Sequence, residues 1–163
     1  SPGGSYNYQM TTPWRALGSV GLVFGKSGFV SAELEYVDYS SANFDLEIND
    51  KNYERTVNND ILSNYKGAVN LKVGAEYAFD VFRIRAGYAL FGNPYTNSSS
   101  TFGNAQYSLG AGLRGNHVYL DLAYRFGTTN DSFLPYTTDN QIQQLVERRF
   151  SSGNLVATLG FKF

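Results

Sequence analysis

The stretch VNLKVGAEYAFDVFRIRAGYAL, Val69–Leu90, decides the fold. Its first half places Val69, Leu71, Val73, Ala75, Tyr77 and Phe79 at alternate positions, with Asn70, Lys72, Gly74, Glu76 and Ala78 between them. After Asp80-Val81 the alternation resumes on the other parity. Phe82, Ile84, Ala86, Tyr88 and Leu90 now alternate with Arg83, Arg85, Gly87 and Ala89. A period of two sends successive side chains to opposite faces, so each half reads as a strand. In a two-residue hairpin the flanking residues pair and share a face. Phe79 then faces Phe82, Tyr77 faces Ile84 and Ala75 faces Ala86, and every charged residue falls on the other side.

The same pattern extends both ways along the chain. Strands are expected near 12–24, 29–39, 68–79, 82–91, 104–114, 117–126 and 153–163, seven in all. The turn at Lys26-Ser27-Gly28 sets Phe24 against Val30 and Leu22 against Ala32. The turn at Gly115-Asn116 sets Leu113 against Val118, Ala111 against Leu120 and Leu109 against Leu122. Strands in soluble proteins average about 5–6 residues, whereas crossing a bilayer at a tilt takes about 9–11. Connections alternate too: three short turns, and long segments over 40–66, 92–101 and 127–152. Outer-membrane barrels sort tight periplasmic turns from long external loops in this way.

Composition narrows the function classes. The 163 residues carry 13 Lys+Arg against 14 Asp+Glu, no cysteine and one histidine, with 13 Tyr and 12 Phe. No basic excess points to nucleic acid, and disulfides, thiolate metal sites and His-rich metal sites are excluded. No segment approaches the ~18 apolar residues of a membrane helix, which leaves alternating membrane strands open. No signal peptide is visible at Ser1, as expected if one was removed or if the chain starts partway through a longer protein.

Alternation alone fits a soluble sandwich as well as a membrane wall. Two features favour the wall. Tyr and Phe collect near the strand ends of the apolar face, as in interfacial girdles. The other face mixes Glu33, Glu35, Lys72, Glu76, Arg83, Arg85, Arg114, Asp121 and Arg125 with glycine, as a crowded lumen would. The expected fold is an all-β, antiparallel transmembrane barrel with its apolar face toward lipid. The terminal aromatic Phe163 would mark the periplasmic end and put every short turn there. Seven is odd, whereas bacterial single-chain barrels have even strand numbers. This points to half of a larger barrel, or to an eighth strand within Tyr6–Met10.

Thr11–Phe44, Asn70–Tyr95, Leu113–Gly127 and Leu155–Phe163 resemble the FadL/TodX family of outer-membrane transporters for hydrophobic compounds. The most telling pieces are TPWR at Thr12–Arg15, EYVDYS at Glu35–Ser40 and GAEY at Gly74–Tyr77. The resemblance implies the C-terminal half of a fourteen-stranded barrel whose hatch and lateral opening belong to the other half. It also implies a Gram-negative outer-membrane location, with outer-membrane lipid and lipopolysaccharide, a hydrophobic ligand or detergent, and the N-terminal half of the barrel as partners. The family look covers barrels that anchor or shuttle secreted proteins as well.

Candidate ligand contacts are Arg83, Arg85, Lys72 and Arg125, cations on the polar face suited to a fatty-acid carboxylate. The plainer reading is an ion-pair lattice with Glu33, Glu35, Glu76 and Asp121, because an interior needs balanced charge wherever it is dry. His117 and Asp121 share a face about 13 Å apart on one strand, too far for a catalytic pair. Gly110–Gly115 matches G-x-G-x-x-G but leads into a strand, so nucleotide binding fails. Asn97-Ser98-Ser99 carries little meaning in an external bacterial loop. Short helices are expected within Asn58–Lys66 and Thr138–Phe150. The leading expectation is a channel for hydrophobic small molecules such as long-chain fatty acids, with no enzymatic activity and no cofactor. The alternative is a non-transporting barrel that anchors partner proteins.

Overall fold

The computed structural model describes residues 7–46, 51–98, 100–133 and 146–162. Seven strands form one antiparallel meander: β2 (Arg15–Phe24), β3 (Gly28–Asp38), β5 (Gly67–Phe79), β6 (Phe82–Gly92), β7 (Phe102–Arg114), β8 (Val118–Phe133) and β9 (Val146–Phe161). Two short strands, β1 (Tyr8–Thr11) and β4 (Asn43–Leu46), pair separately, and one helix, α1 (Lys51–Asn64), follows β4. Among the described residues the large sheet is open, with β2 and β9 as its edges.

Register confirms the apolar face strand by strand. Val30, Ala75, Ala86, Leu109, Tyr124 and Leu155 follow one another across β3, β5, β6, β7, β8 and β9. The β5–β6 hairpin pairs Phe79 with Phe82, Tyr77 with Ile84 and Ala75 with Ala86, as the alternation predicts. Its corner is tight enough to hold Asp80 at φ 50, a left-handed conformation that Asp tolerates better than most residues.

Two other hairpins keep their faces but shift their partners by two residues. Phe24 pairs with Gly28, and Leu22 with Val30, because the corner is Gly25–Ser27 rather than Lys26–Gly28. Gly25 takes the left-handed φ of 59 that this corner needs. Leu113 pairs with Leu120, Ala111 with Leu122 and Leu109 with Tyr124. There the Gly115 N–H donates to the Val118 carbonyl at 2.8 Å, so Asn116 and His117 make the corner and Gly115 joins the ladder. A shift of two preserves side-chain parity, so hydrophobic pattern cannot detect it.

The long segment expected at 127–152 is largely strand. β8 and β9 pair continuously from Val118 with Phe161 to Phe133 with Val146, Gly127 lying opposite Ser152. Each has 16 residues, about 53 Å of strand. The extension was invisible to apolar counting because it stands beyond the apolar belt. The helix expected within Thr138–Phe150 meets strand from Val146 onward, and its earlier residues lie outside the described ones, as does Phe163. The helix expected within Asn58–Lys66 is real but begins at Lys51 and stops at Asn64. Tyr65 instead bridges to Tyr95. The eighth strand sought in Tyr6–Met10 exists as β1, but it pairs with β4 and leaves the large sheet at seven.

Almost nothing is buried. Among the described residues the buried hydrophobics are Val37 and Ala68. Ile84, Leu109 and Leu155 are 62%, 65% and 68% exposed. The chain exposes 12381 Å², against roughly 8,000 Å² for a compact soluble protein of this length.

Candidate functional site

The polar face is built from alternate positions of the seven strands of the large sheet, and its charges are spaced so that they meet across strands. Lys72 on β5 lies opposite Glu33 on β3, and its Nζ reaches Glu33 Oε1 at 2.7 Å. One rung along, Asn70 faces Glu35 and donates from Nδ2 to Glu35 Oε2 at 2.8 Å. The Asn70 Oδ1 accepts the Gly92 backbone N–H at 3.0 Å, so this buried amide uses both its ends. Arg15 on β2 approaches the other Glu35 oxygen at 3.6 Å.

A second cluster lies toward the short turns. Arg85 on β6 donates through Nε to Glu76 on β5 and through Nη1 to Asp121 on β8 at 2.8 Å. Arg85 thus reaches across β7, which presents Gly110 and Gly112 on this face. The Asp121 carboxylate lies against Gly112, where a Cβ would stand. Its second oxygen takes Arg114 Nη2 at 2.8 Å. The Arg114 guanidinium also stacks 4.9 Å from the centre of the Tyr119 ring, a cation–π contact. Glu76, Arg85, Asp121 and Arg114 therefore tie four consecutive strands together.

The four sequence-predicted cations fare differently. Lys72 and Arg85 are engaged in short ion pairs. Arg83 is half-engaged: its Nε is 3.8 Å from Glu76, and its Nη1 donates to the carbonyls of Asp80 and Phe82 at 3.1 and 2.9 Å. Arg125 is exposed and has no carboxylate partner among the described residues; its cross-strand neighbours are Ser108 and Asn154. The structure brings Arg83 and Arg85 together on Glu76 and leaves Lys72 with Glu33 and Arg125 by itself.

Sequence reasoning missed Arg15 and Asn70 as members of this network. The signal lay in the β3–β5 register, which sets Asn70 against Glu35. That register joins strands separated by a long connection, so no turn rule supplies it. His117 contributes its carbonyl to the Lys162 N–H at 2.7 Å, while Asp121 is committed to arginines. No group of three or more metal-ligating side chains occurs among the described residues. The face offers charge-assisted hydrogen bonds, with Arg15, Lys72, Arg83, Arg85, Arg114 and Arg125 set against Glu33, Glu35, Glu76 and Asp121. The chain matches no protein-family model and no curated protein sequence.

Proposed function

We propose that this sheet is wall from an outer-membrane β-barrel, its apolar face against lipid and its ion-paired face toward a lumen, and that the barrel passes hydrophobic small molecules such as long-chain fatty acids. One observation carries the reading: an unbroken apolar surface seven strands wide stands uncovered, while the opposite face pairs the carboxylates Glu33, Glu35, Glu76 and Asp121 with its own cations. A soluble sheet with one buried face would need a second layer, and none is present among the described residues. Along β5 the apolar face runs from Val69 to Phe79, about 33 Å of strand. At a tilt near 40° that gives about 25 Å, the height of a barrel's apolar band. Aromatic residues mark both borders, with Trp14 and Tyr36 at 5.3 Å on one side. Phe24, Phe79, Phe82 and Phe161 mark the other, as girdles do.

Within the lumen reading, Arg125 is the one of the four candidate cations without a carboxylate partner among the described residues, and so the one left to meet a ligand carboxylate. Charge-assisted hydrogen bonds contribute about 1.5–3 kcal/mol. In vesicles, Arg125→Ala should weaken binding of a spin-labelled fatty acid about tenfold and leave the corresponding fatty alcohol unaffected. Arg85→Ala should change the acid and the alcohol alike, through the wall. Equal binding of acid and alcohol by the unaltered chain would remove Arg125 from this role.

The second reading, a barrel that anchors partner proteins without transport, draws support from the engagement of Lys72, Arg83 and Arg85 with Glu33 and Glu76. Failure of reconstituted vesicles to bind any hydrophobic probe would favour it.

A further inference from the structure

A polar hollow of about 230 Å³ opens at the end of the sheet away from the short turns, between the start of β5 and the segment from Asn93 to Phe102. β6 stops at Gly92, which pairs with Phe102, and a Cβ there would collide with the Val69 backbone. The chain then leaves the sheet and is tied back beside the gap. Lys66 donates its N–H to the Pro94 carbonyl at 2.8 Å, Thr96 donates to Asn64 at 2.9 Å, and Asn93 donates to Thr101 at 2.9 Å. Asn93 Nδ2 also donates to Ser98 Oγ at 2.7 Å, and Asn93 Oδ1 accepts the Tyr95 N–H at 3.0 Å. Walls held in this way need little ordering when a ligand arrives.

These bonds leave a set of donors unspent. Ser98 Oγ already accepts twice, from Asn93 Nδ2 and from the Ser100 N–H at 3.3 Å, so its own proton remains to give. The Ser100 and Thr101 hydroxyls and the Lys66 ammonium have no partner among the described residues. Lys66 is half-buried, and no carboxylate lines the hollow. Charge drawn away from water is ordinarily paired, as Lys72 and Arg85 are on the same sheet. Lys66 is therefore a cation in want of an anion. Val69 and Phe102 supply an apolar side to the same hollow and remain exposed.

We propose that this hollow binds a phosphorylated sugar, with the phosphate on the Lys66 ammonium and the sugar ring against Phe102. A lysine with hydroxyl donors around it suits a phosphate, whose oxygens accept from several directions; a planar carboxylate is better met by the fork of an arginine. The remaining lining matches a sugar, which has an apolar C–H face for the aromatic ring and a rim of hydroxyls for Ser100 and Thr101. Such a group occurs free in solution and at the head of a membrane glycolipid, and the two present the same chemistry to the hollow. The site does not rest on the membrane-wall reading.

The full chain in detergent micelles at low ionic strength is titrated with glucose 1-phosphate, inorganic phosphate and glucose, and binding is followed by broadening of the probe's resonances. Glucose 1-phosphate should bind about tenfold more tightly than either part alone. Lys66→Gln keeps the backbone N–H on Pro94, so the walls stay in place, and should weaken glucose 1-phosphate about tenfold. Lys66→Arg should recover most of that loss. Phe102→Ser should weaken glucose 1-phosphate about threefold and leave inorganic phosphate unchanged. Lys26→Gln, at the opposite end of the sheet, should change nothing. Unchanged binding in Lys66→Gln, an equal loss in Lys26→Gln, or inorganic phosphate bound as well as the sugar phosphate would overturn the site and leave the membrane-wall reading as it stands. Vesicles then separate the two sources. Loss of glucose 1-phosphate binding beside a phosphorylated glycolipid, but not beside the same lipid dephosphorylated, assigns the hollow to a membrane headgroup. Binding retained beside both assigns it to a soluble sugar phosphate.

Discussion

Across one face of the sheet run Val30, Ala75, Ala86, Leu109 and Leu155; one residue along, on the other face, run Glu76, Arg85 and Gly110, with Asp121 on the next rung. The first row needs only parity, because apolar contact has no direction and any strand of the right period supplies it. The second needs particular partners at particular heights, because an arginine must find its carboxylate within hydrogen-bond reach. β7 shows the consequence. Its apolar face carries Tyr107, Leu109 and Leu113, while its polar face falls to Gly110 and Gly112 where Arg85 crosses to Asp121. On the membrane-wall reading, the apolar face should tolerate changes of shape and reject charge, and the polar face should do the reverse.

The strongest way to break that contrast is a charge on the tolerant face. Leu109→Arg places a cation midway along β7 on the apolar side. In a bilayer it should cost about 2–4 kcal/mol, measured by denaturant titration of the chain folded into vesicles. Ser31→Arg, on the polar face of β3, should cost well under half of that. Equal costs for the two would mean that the faces meet the same solvent.

The converse test adds bulk to the exacting face. Gly112→Val puts a side chain where the Asp121 carboxylate lies, and β5–β8 lose the pairs that Asp121 makes with Arg85 and Arg114. The expected cost is about 1–3 kcal/mol. Adding Asp121→Ala should recover part of it, because the displaced carboxylate is then gone. A Gly112→Val variant as stable as the unaltered chain would show that the arginine crossing adds nothing to the wall.

The two faces also differed in how far they could be read beforehand. Parity alone placed Phe79 with Phe82 and put Arg83, Arg85 and Lys72 on one side. It left Leu113 two residues from its true partner, since a turn centred on Asn116-His117 and one centred on Gly115-Asn116 sort the faces identically. The lattice was anticipated as a possibility, yet its partners were not, because Arg85 meets Asp121 across an intervening strand and Asn70 meets Glu35 across a long connection. Beyond the apolar belt the signal vanished altogether: Thr128–Phe133 and Val146–Ser151 pair through backbone with no hydrophobic period to announce them. The first half of α1 was missed for a related reason. Its anchors are polar and reach back to β4 rather than forming an apolar stripe.

Those anchors give the smallest and most local prediction. Asn58 brackets Phe44, accepting its N–H and donating to its carbonyl, both at 2.8 Å. Glu54 accepts the Leu46 N–H at 3.0 Å and Lys51 Nζ at 2.7 Å. The Lys51 ammonium, and then the Leu46 N–H, hold the Glu54 carboxyl below its ordinary value of 4.5. The hydrogen bond to Glu54 raises Lys51 above its ordinary 10.5. A lowered acid stabilises the folded junction above pH 4.5, and that contribution is lost as pH falls through the depressed folded value. For Lys51 the sense is opposite: its contribution is complete below pH 10.5 and is lost as pH rises through the raised value. The junction should therefore hold at neutral pH and loosen toward both extremes. Hydrogen exchange at the Leu46 amide, corrected for the intrinsic rate, should accelerate in acid, while the Ala78 amide, bonded to the Ser27 carbonyl, should not. Glu54→Gln should remove the acid response at Leu46 and leave Ala78 as before. Constant Leu46 protection through the acid range would show that Asn58 and Phe44 hold the helix to β4 without help from the Glu54 carboxylate.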